Sequence, residues 1–568
     1  MTSLFLALIP LFGSIQDEVR MVQSHLLVGD EKSALQEARV TLRNYPDSPL
    51  SYQSLLQALA ANKRDGEMIK FWYTFEKKFR EEAHAQDTLE QMCWGVLRKG
   101  RASGQISTRL ISLIGAALTQ DMYALEFLLE GMRSTNVHIR SVAVKLASFF
   151  KDHVLIEEIA RLLAEEKSAV VRVAVIEAIQ ELKATKFYTD LVHIVGSSQS
   201  SALEINAAIK AIISITESIE YDELIKLVQS KRAPLRHLAC ECIAKFFLKE
   251  HAELLAILMH DSHPEVAASA LRAIGLLHIT QLRGKETAYY LRRLCSSSDP
   301  SVGVTAAWAL LLQKQEEGKE ALRYWLFHEN SRYAAFAAAS VAASGERGID
   351  LALEALEVVQ DPYVRMNLAL ALVGQRKESE KACEVLNETL QSQKEKWMIE
   401  EGIFSPIQKS QLSHRPEIPN YPEVVNQTVR LEILNVLAIL EYPRSEEAIK
   451  QFLKERRWGV TGLAAETLLG EGDETAIEHV RALLSDPDQE VRLEAALALA
   501  TWGRDHSALP TLIEEYRDAD RQLQIKILEA LGRIGSKEAI PFLIERLQES
   551  SLNLRIIAAA ILLQTIKA

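Results

Sequence analysis

Cysteine is scarce in this 568-residue chain: Cys93, Cys240, Cys242, Cys295 and Cys383 are an odd, scattered set with no C-x-x-C pair. That spacing supplies neither a disulfide framework nor a thiolate zinc or redox site. Helix breakers are also few, with 24 glycines and 15 prolines, and aromatics are only 7%. Positive charge is in deficit. There are 65 Lys and Arg against 77 Asp and Glu, a net charge of −12 and a pI near 5.7, with no long run of either sign. A chain of this balance has no concentrated cationic face, so nucleic acid is not expected as a partner. The apolar run at 4–12, LFLALIPLF, is shorter than the ~20 residues a membrane-spanning helix needs. It could be the core of a signal peptide, though no Lys or Arg precedes it and Gly13-Ser14-Ile15 is a poor cleavage site. Equally, it could be an apolar first helix, because Ser14-Ile15-Gln16-Asp17 reads as the cap of a new one. The expected location is cytoplasmic, with export or envelope association as the alternative if residues 1–13 act as a signal.

Catalytic signatures are missing too. The chain contains no phosphate-binding G-x-x-x-x-G-K-[ST], no G-x-G-x-x-G after a strand, no H-E-x-x-H, no G-x-S-x-G and no calcium loop. His260-Asp261-Ser262-His263 is the nearest approach to a metal cluster, but third and fourth ligands are not evident. In Cys240-Glu241-Cys242 the thiols are two apart on a helix and point to different faces, so they read as buried rather than as shared ligands. No catalytic, metal-binding or cofactor-binding residue is nominated, and no cofactor is expected.

What the chain does contain is Ala, Leu, Ile and Glu, mainly good helix formers, at a length too great for one ordinary core. It also repeats. NVHIRSVAVKLASF (136–149), DPSVGVTAAWALLL (299–312), DQEVRLEAALALAT (488–501) and SLNLRIIAAAILLQ (551–564) superimpose without gaps. With Arg140 as the anchor, equivalents fall at Arg172, Ile205, Arg236, Ala267, Gly303, Ala334, Arg365, Arg430, Thr461, Arg492, Gln524 and Arg555. Most spacings are 31 to 33 residues; the exceptions are 36 before Gly303 and 65 before Arg430. Asp, Asn or Ser usually stands four residues before the anchor, where a side-chain oxygen can cap a helix start. Ala usually stands three after it, as at Ala143, Ala208, Ala239 and Ala306, letting a neighbouring helix approach closely. A second helix fills the interval, as in EAIPFLIERLQES (538–550). Each unit is an antiparallel helix pair that must stack on the next to bury its apolar face.

This D-x-x-V-R-x-x-A-A-x-A-L-g pattern, followed by an A-I-P-x-L-type helix, resembles HEAT repeats of the short kind first noted in phycobilin-lyase-like proteins. The resemblance covers about 120–568 and implies an all-α fold, an alpha-alpha superhelix or HEAT-like solenoid. It also implies that the anchor arginines bond between adjacent repeats instead of forming a phosphate-binding ladder. Five residues beyond the anchors, Lys145, Glu177, Lys210, Glu241 and Arg272 alternate in sign and make no cationic track. Residues 28–46, VGDEKSALQEARVTLRNYP, place Gly29, Ala34, Ala38 and Pro46 at spacings that look like a tetratricopeptide repeat. The aromatic cluster Phe71, Trp72, Tyr73, Phe75 and Phe79 could be a peptide-binding surface, but such clustering is more often core.

The expected organisation is an apolar segment 1–13, a tetratricopeptide-like module 14–105, HEAT-like repeats 106–375, an extended helix and proline-rich insertion 376–426, and further repeats 427–568. Pro406, Pro416, Pro419 and Pro422 interrupt the pattern within 403–425, and four prolines so close forbid a continuing helix. That break either presents Phe404, Leu412, His414, Arg415 and Tyr421 to a partner or is a tolerated insertion between repeats. The last helix, 554–568, is apolar around most of its circumference, so it pairs with another chain or exposes less than its sequence suggests. The function this supports is a non-catalytic scaffold or adaptor that binds protein partners, of unknown identity, through the concave face of the stack. A bilin-lyase-like or other cofactor-handling enzyme is the alternative from fold resemblance alone, and an exported scaffold is the alternative from residues 1–13.

Overall fold

A computed structural model describes residues 14–374, 379–392, 481–487, 489–500 and 504–567. In chain order the first helices are α1 (Ile15–Leu27), α2 (Glu31–Asn44), α3 (Pro49–Ala61), α4 (Asp65–Lys78), the single turn α5 (Arg80–Ala83), α6 (Gln86–Arg101), α7 (Ile106–Leu118), α8 (Tyr123–Met132) and α9 (Val137–Ala147). Next come α10 (His153–Glu165), α11 (Ala169–Glu181), α12 (Tyr188–Gly196), α13 (Ala202–Ile215), α14 (Tyr221–Val228), α15 (Ala233–Lys245), α16 (Ala252–Leu258) and α17 (Pro264–Leu276). They are followed by α18 (Thr287–Leu294), α19 (Pro300–Leu312), α20 (Glu316–Leu326), α21 (Ser331–Ala342), α22 (Ile349–Val358), α23 (Pro362–Gly374) and α24 (Ser379–Ser392). The series ends with α25 (Gln489–Ala498), α26 (Leu509–Glu515), α27 (Arg521–Ile534), α28 (Ile540–Arg546) and α29 (Leu552–Lys567). The fold is an all-α solenoid of stacked helix pairs. Among the described residues it forms two compact units, 14–146 with 495–567, and 147–494.

In the first unit, α1 starts in a capping box between Ser14 and Asp17, and Gly29, at φ +77°, turns the chain into α2. Of the aromatic cluster, Trp72 and Phe75 are buried in the core while Phe71, Tyr73 and Phe79 are half-buried. Tyr52 stacks on Phe71 and Phe75 at 5.4 and 5.3 Å, and Trp72 is buried with its indole N–H donating to the Ala83 carbonyl at 2.9 Å. The apolar circumference of α29 is covered within the same unit, because the helix packs on α27 and α28 from its own stretch and on α6 and α7 from residues 86–118. Gly100 of α6 makes room for Ile556, whose Cδ1 would lie 2.4 Å from an added Cβ. Polar bonds join the same surfaces: Thr108 donates to Asn553 at 2.8 Å, Gln564 to the Leu118 carbonyl at 3.0 Å, Arg555 pairs with Asp65 at 2.8 Å, and Lys567 pairs with Asp121. Of the two outcomes open for the last helix, the smaller exposed face is the one found.

The repeat register appears as geometry. Asn136 accepts from the backbone N–H groups of His138 and Ile139, Asp299 from Ser301 and Val302, and Asp520 from Leu523, while Ser201 forms a capping box with Glu204. Ala208, Ala239, Ala270, Ala306 and Ala337 are fully buried where helices approach each other. Each described anchor arginine donates to the carbonyl six residues before it: Arg140 to Ser134, Arg172 to Glu166, Arg236 to Ser230, Arg365 to Val359, Arg492 to Asp486 and Arg555 to Glu549. Arg172 also pairs with Glu204 and Arg236 with Asp261, in bonds that tie one repeat to the next. Their role is structural, as the resemblance implied; Arg430 lies outside the described residues.

Departures from the arginine have physical causes. At Gly303 an added Cβ would lie 2.8 Å from the indole ring of Trp325, so no anchor side chain fits. The 36-residue spacing before it holds a β-hairpin, β1 (Gln281–Leu282) and β2 (Lys285–Glu286), turning through Arg283 and Gly284 at φ +48° and +70°. Eleven residues after the anchors, Lys183, Phe247, His278 and Lys314 adopt positive φ where Gly345 and Gly535 do so without a side-chain penalty. That conformation costs a residue with a Cβ about 1 kcal/mol.

The inter-repeat carboxylates titrate low. Burial alone would raise Asp261, but hydrogen bonds from Arg236 and from the His263 backbone N–H outweigh it and hold the carboxyl below its usual range. Glu204 is lowered in the same sense by Ser201 and Arg172 against the effect of burial. Because both folded values lie below the unfolded one, these pairs stabilise the second unit above about pH 4 and lose that contribution as pH falls through the lowered values.

Candidate functional site

A groove of about 570 Å3 lies in the first unit, a volume in the range of ligand pockets. One face of α6 forms its floor. Asp87, Glu90, Gln91, Trp94, Arg98 and Arg101 line the groove at the i, i+3, i+4, i+7 spacing of a single helical stripe. At 1.5 Å rise per residue the stripe is about 21 Å long. The opposite stripe, Met92, Cys93, Val96 and Leu97, is buried in the core. One wall is the α1–α2 turn with the end of α3, from Leu26, Gly29 and Glu31 to Ala60, Ala61 and Lys63, and the other carries Tyr123 and Glu126 of α8. Gly95 sets the floor's depth, because a Cβ there would lie 2.8 Å from Ala60 Cβ and 3.0 Å from both Ala60 Cα and Met68 Sδ.

Charge changes along the floor from Asp87 and Glu90 at the helix start to Arg98 and Arg101 at its end, complementing the helix dipole. Arg101 is neutralised: it lies 3.0 Å from Glu126 and 3.2 Å from Glu130, with its guanidinium 4.6 Å from the Phe127 ring centre. Arg98, one turn earlier on the same stripe, makes no hydrogen bond or ion pair with its side chain among the described residues. Burial lowers its pKa, with Arg101 acting in the same direction and Glu126 opposing, yet a guanidinium stays cationic. Between the two ends sits Trp94, 3% exposed, its ring 5.5 Å from Tyr123 and 5.8 Å from Phe127, and its indole N–H has no acceptor among the described residues. Leu27, Val28 and Met122, neighbours in sequence of the lining residues Leu26, Gly29 and Tyr123, are large apolar groups open to solvent, as is Tyr123 itself.

The residues singled out from sequence fall elsewhere. Phe404, Leu412, His414, Arg415 and Tyr421 lie outside the described residues. In the His260–His263 turn, Asp261 is held by Arg236 at 2.5 and 2.7 Å, and no group of three or more His, Cys, Asp or Glu able to hold a metal occurs among the described residues. Cys240 and Cys242 are buried, and burial pushes both thiols up. Glu241 between them accepts from Ser269 at 2.7 Å and Arg272 at 3.0 Å, and lies 3.1 Å from His237 Nε2. The carboxylate therefore separates the serine from the histidine, which is not the order a nucleophilic serine requires. Among the described residues no helix is long and apolar enough to cross a membrane. The sequence signal of the groove is the polar stripe of 86–101, with acids first, a tryptophan in the middle and arginines last.

Comparison with known proteins places the repeats. The sequence model of HEAT repeats matches residues 251–343, 425–500 and 477–564. No curated protein sequence matches the chain. Among solved structures, it is similar to the karyopherin Kap121p bound to the extreme C-terminus of the protein phosphatase Cdc14p, at 13% identity, 95% of this chain, 83% of that one and a TM-score of 0.33. It is also similar to the myosin chaperone UNC-45 from C. elegans in complex with a Hsp90 peptide, at 11% identity, 97% of this chain, 81% of that one and a TM-score of 0.30. Neither likeness is close enough to bear on function.

Proposed function

Because this chain is a HEAT-repeat protein, we propose that it is a non-catalytic scaffold that holds protein partners against the inner surfaces of its helix pairs, with the groove over α6 as a contact site. The observation that carries this reading is the groove's composition. A floor of mixed charge from Asp87 to Arg101, with the Arg98 guanidinium making no hydrogen bond among the described residues and with exposed Leu27, Val28, Met122 and Tyr123 nearby in the chain, offers polar groups and apolar surface to a polypeptide segment.

The test is a pull-down from native lysate with the full chain and with Leu27→Ser/Met122→Ser, two side chains 87% and 74% exposed whose replacement spares the core. Proteins held by the full chain are expected to be lost from the double variant. Retention of the same set by both would remove the groove as a contact site, and capture of nothing would count against the scaffold reading. A third arm replaces 403–424 with a Gly/Ser linker. Loss of a partner there would assign contact to the proline-rich stretch carrying Phe404, Leu412, His414, Arg415 and Tyr421.

A further inference from the structure

We propose that the inserted hairpin of the second unit and the helices beneath it form a site for a phosphate monoester, the phosphorylated side chain of a bound protein, whose oxygens accept from the guanidinium groups of Arg283 and Arg293 beside Lys285 and His260. The site lies outside the groove over α6 and does not depend on it.

The helix pair has no need of this hairpin to close. A spacing of 36 residues replaces the usual 31 before Gly303, and β1 and β2 lie in that interval. Insertions in helical repeats gather as loops on one face, often the binding face. This one packs on α16 and α18. It is held there by Leu282, which is fully buried, and by Glu253 of α16, which accepts from the Arg283 backbone N–H at 2.9 Å. Lys285 lies across the ribbon from Leu282 and shares its face, with Nζ 4.6 Å from the centre of the Tyr289 ring. Tyr289 is 5.2 Å from Tyr290, and Tyr290 is 6.3 Å from His260, so one patch runs from the hairpin to the turn after α16.

Cations are in excess on this patch. The hairpin, α16, α18 and the turn at 259–263 carry Arg283, Lys285, Arg292 and Arg293 against the carboxylates Glu253, Asp261 and Glu286. Arg292 pairs with Glu317 of α20 at 3.0 Å and Asp261 with Arg236, while Glu286 lies opposite Gln281 on the other face of the ribbon from Lys285. Arg283, Lys285 and Arg293 are left facing Glu253, and none of the three makes a side-chain hydrogen bond or ion pair among the described residues. Arg283 and Arg293 both act on His260. Burial lowers its pKa first and the two guanidinium groups lower it further, with no carboxylate opposing them. A phosphate monoester brings close to two negative charges and three acceptor oxygens to such a cluster, and its geometry matches the guanidinium fork. A carboxylate offers one charge and two oxygens to the same cations.

The test is calorimetric titration of the full chain, at constant ionic strength, with N-acetyl-phosphoserine methylamide, with its unphosphorylated parent, with inorganic phosphate and with a thymidine decanucleotide. The phosphoserine derivative is expected to bind and its parent is not. Arg283→Gln and Arg293→Gln should each weaken that binding about tenfold. Arg521→Gln, at an exposed arginine that starts α27 in the first unit, should leave it unchanged. Absence of binding by the phosphoserine derivative, binding that survives in the Arg283→Gln/Arg293→Gln double variant, or equal weakening by Arg521→Gln would overturn the assignment. Tighter binding of inorganic phosphate would overturn it in favour of a free anion, and tighter binding of the decanucleotide in favour of a phosphodiester backbone. Equal thermal melting of the variants shows that lost binding is not lost folding.

Discussion

Replacing Arg555 with alanine is expected to destabilise the first unit by about 3–5 kcal/mol, the penalty for removing one partner of a buried ion pair. Its guanidinium reaches Asp65 from two nitrogens, at 2.8 and 3.2 Å, and donates to the carbonyls of Glu549 and Ser550 at 2.7 and 3.3 Å. The Asp65 side chain is only 8% exposed, so alanine leaves a buried carboxylate without its cation and a buried carbonyl without its donor. Asp65→Ala should cost less, because the freed arginine is longer, closer to solvent and still bonded to two carbonyls. The double variant should recover part of the sum, the mark of a direct pair. Hydrogen exchange of peptides from 86–118 is the measurement to follow, since these residues form the helices on which α29 lies. A change below 1 kcal/mol, with protection of 86–118 intact, would mean that the pair does not hold these segments together.

Gly95→Val should be nearly as damaging, and damaging to function as well. A Cβ at this position meets Ala60 Cβ at 2.8 Å and its Cα at 3.0 Å, and the backbone atom cannot yield by rotating a side chain. Helices α3 and α6 must then separate, at a cost of about 3 kcal/mol or more for an overpacked contact. Since α3 walls the groove and α6 floors it, peptide capture should be lost along with stability. Gly104→Ala is the companion control, because an added Cβ there meets nothing within 4 Å. Titration with denaturant checks the first effect and the pull-down from native lysate the second. Equal behaviour of the two variants would show that the close approach at Gly95 is not what shapes the groove.

Local signals carried much of the architecture. Caps such as Asn136, Ser201 and Asp299, the alanine three residues past most anchors and the period near 31 are all consequences of helix geometry, which is a short-range property of sequence. The hairpin at 281–286 was visible only as a spacing of 36 where 31 was usual, because strands of two residues each are too short to show a period of their own. By contrast, nothing in the register tells that α29 packs against α6 and α7. Thr108 and Asn553 are 445 residues apart, and a helix apolar on most of its circumference is equally compatible with any apolar partner. The groove was hidden for a related reason. Trp94 reads as core from its type, and it is buried; its part in the groove depends on α1, α3 and α8 arriving around it.

The central claim is that α29 returns to the helices of residues 86–118 and backs the floor of the groove. Zero-length carbodiimide cross-linking of the monomer, read by peptide mass spectrometry, tests it most directly. Lys567 and Asp121 are ion-paired and should be recovered as an amide-linked peptide pair. Lys78 and Asp47, 2.6 Å apart within the first helices, provide the internal control. Both links in the monomer fraction are the predicted result. A Lys78–Asp47 link with Lys567 joined to no residue near 121, or joined only across dimers, would contradict it.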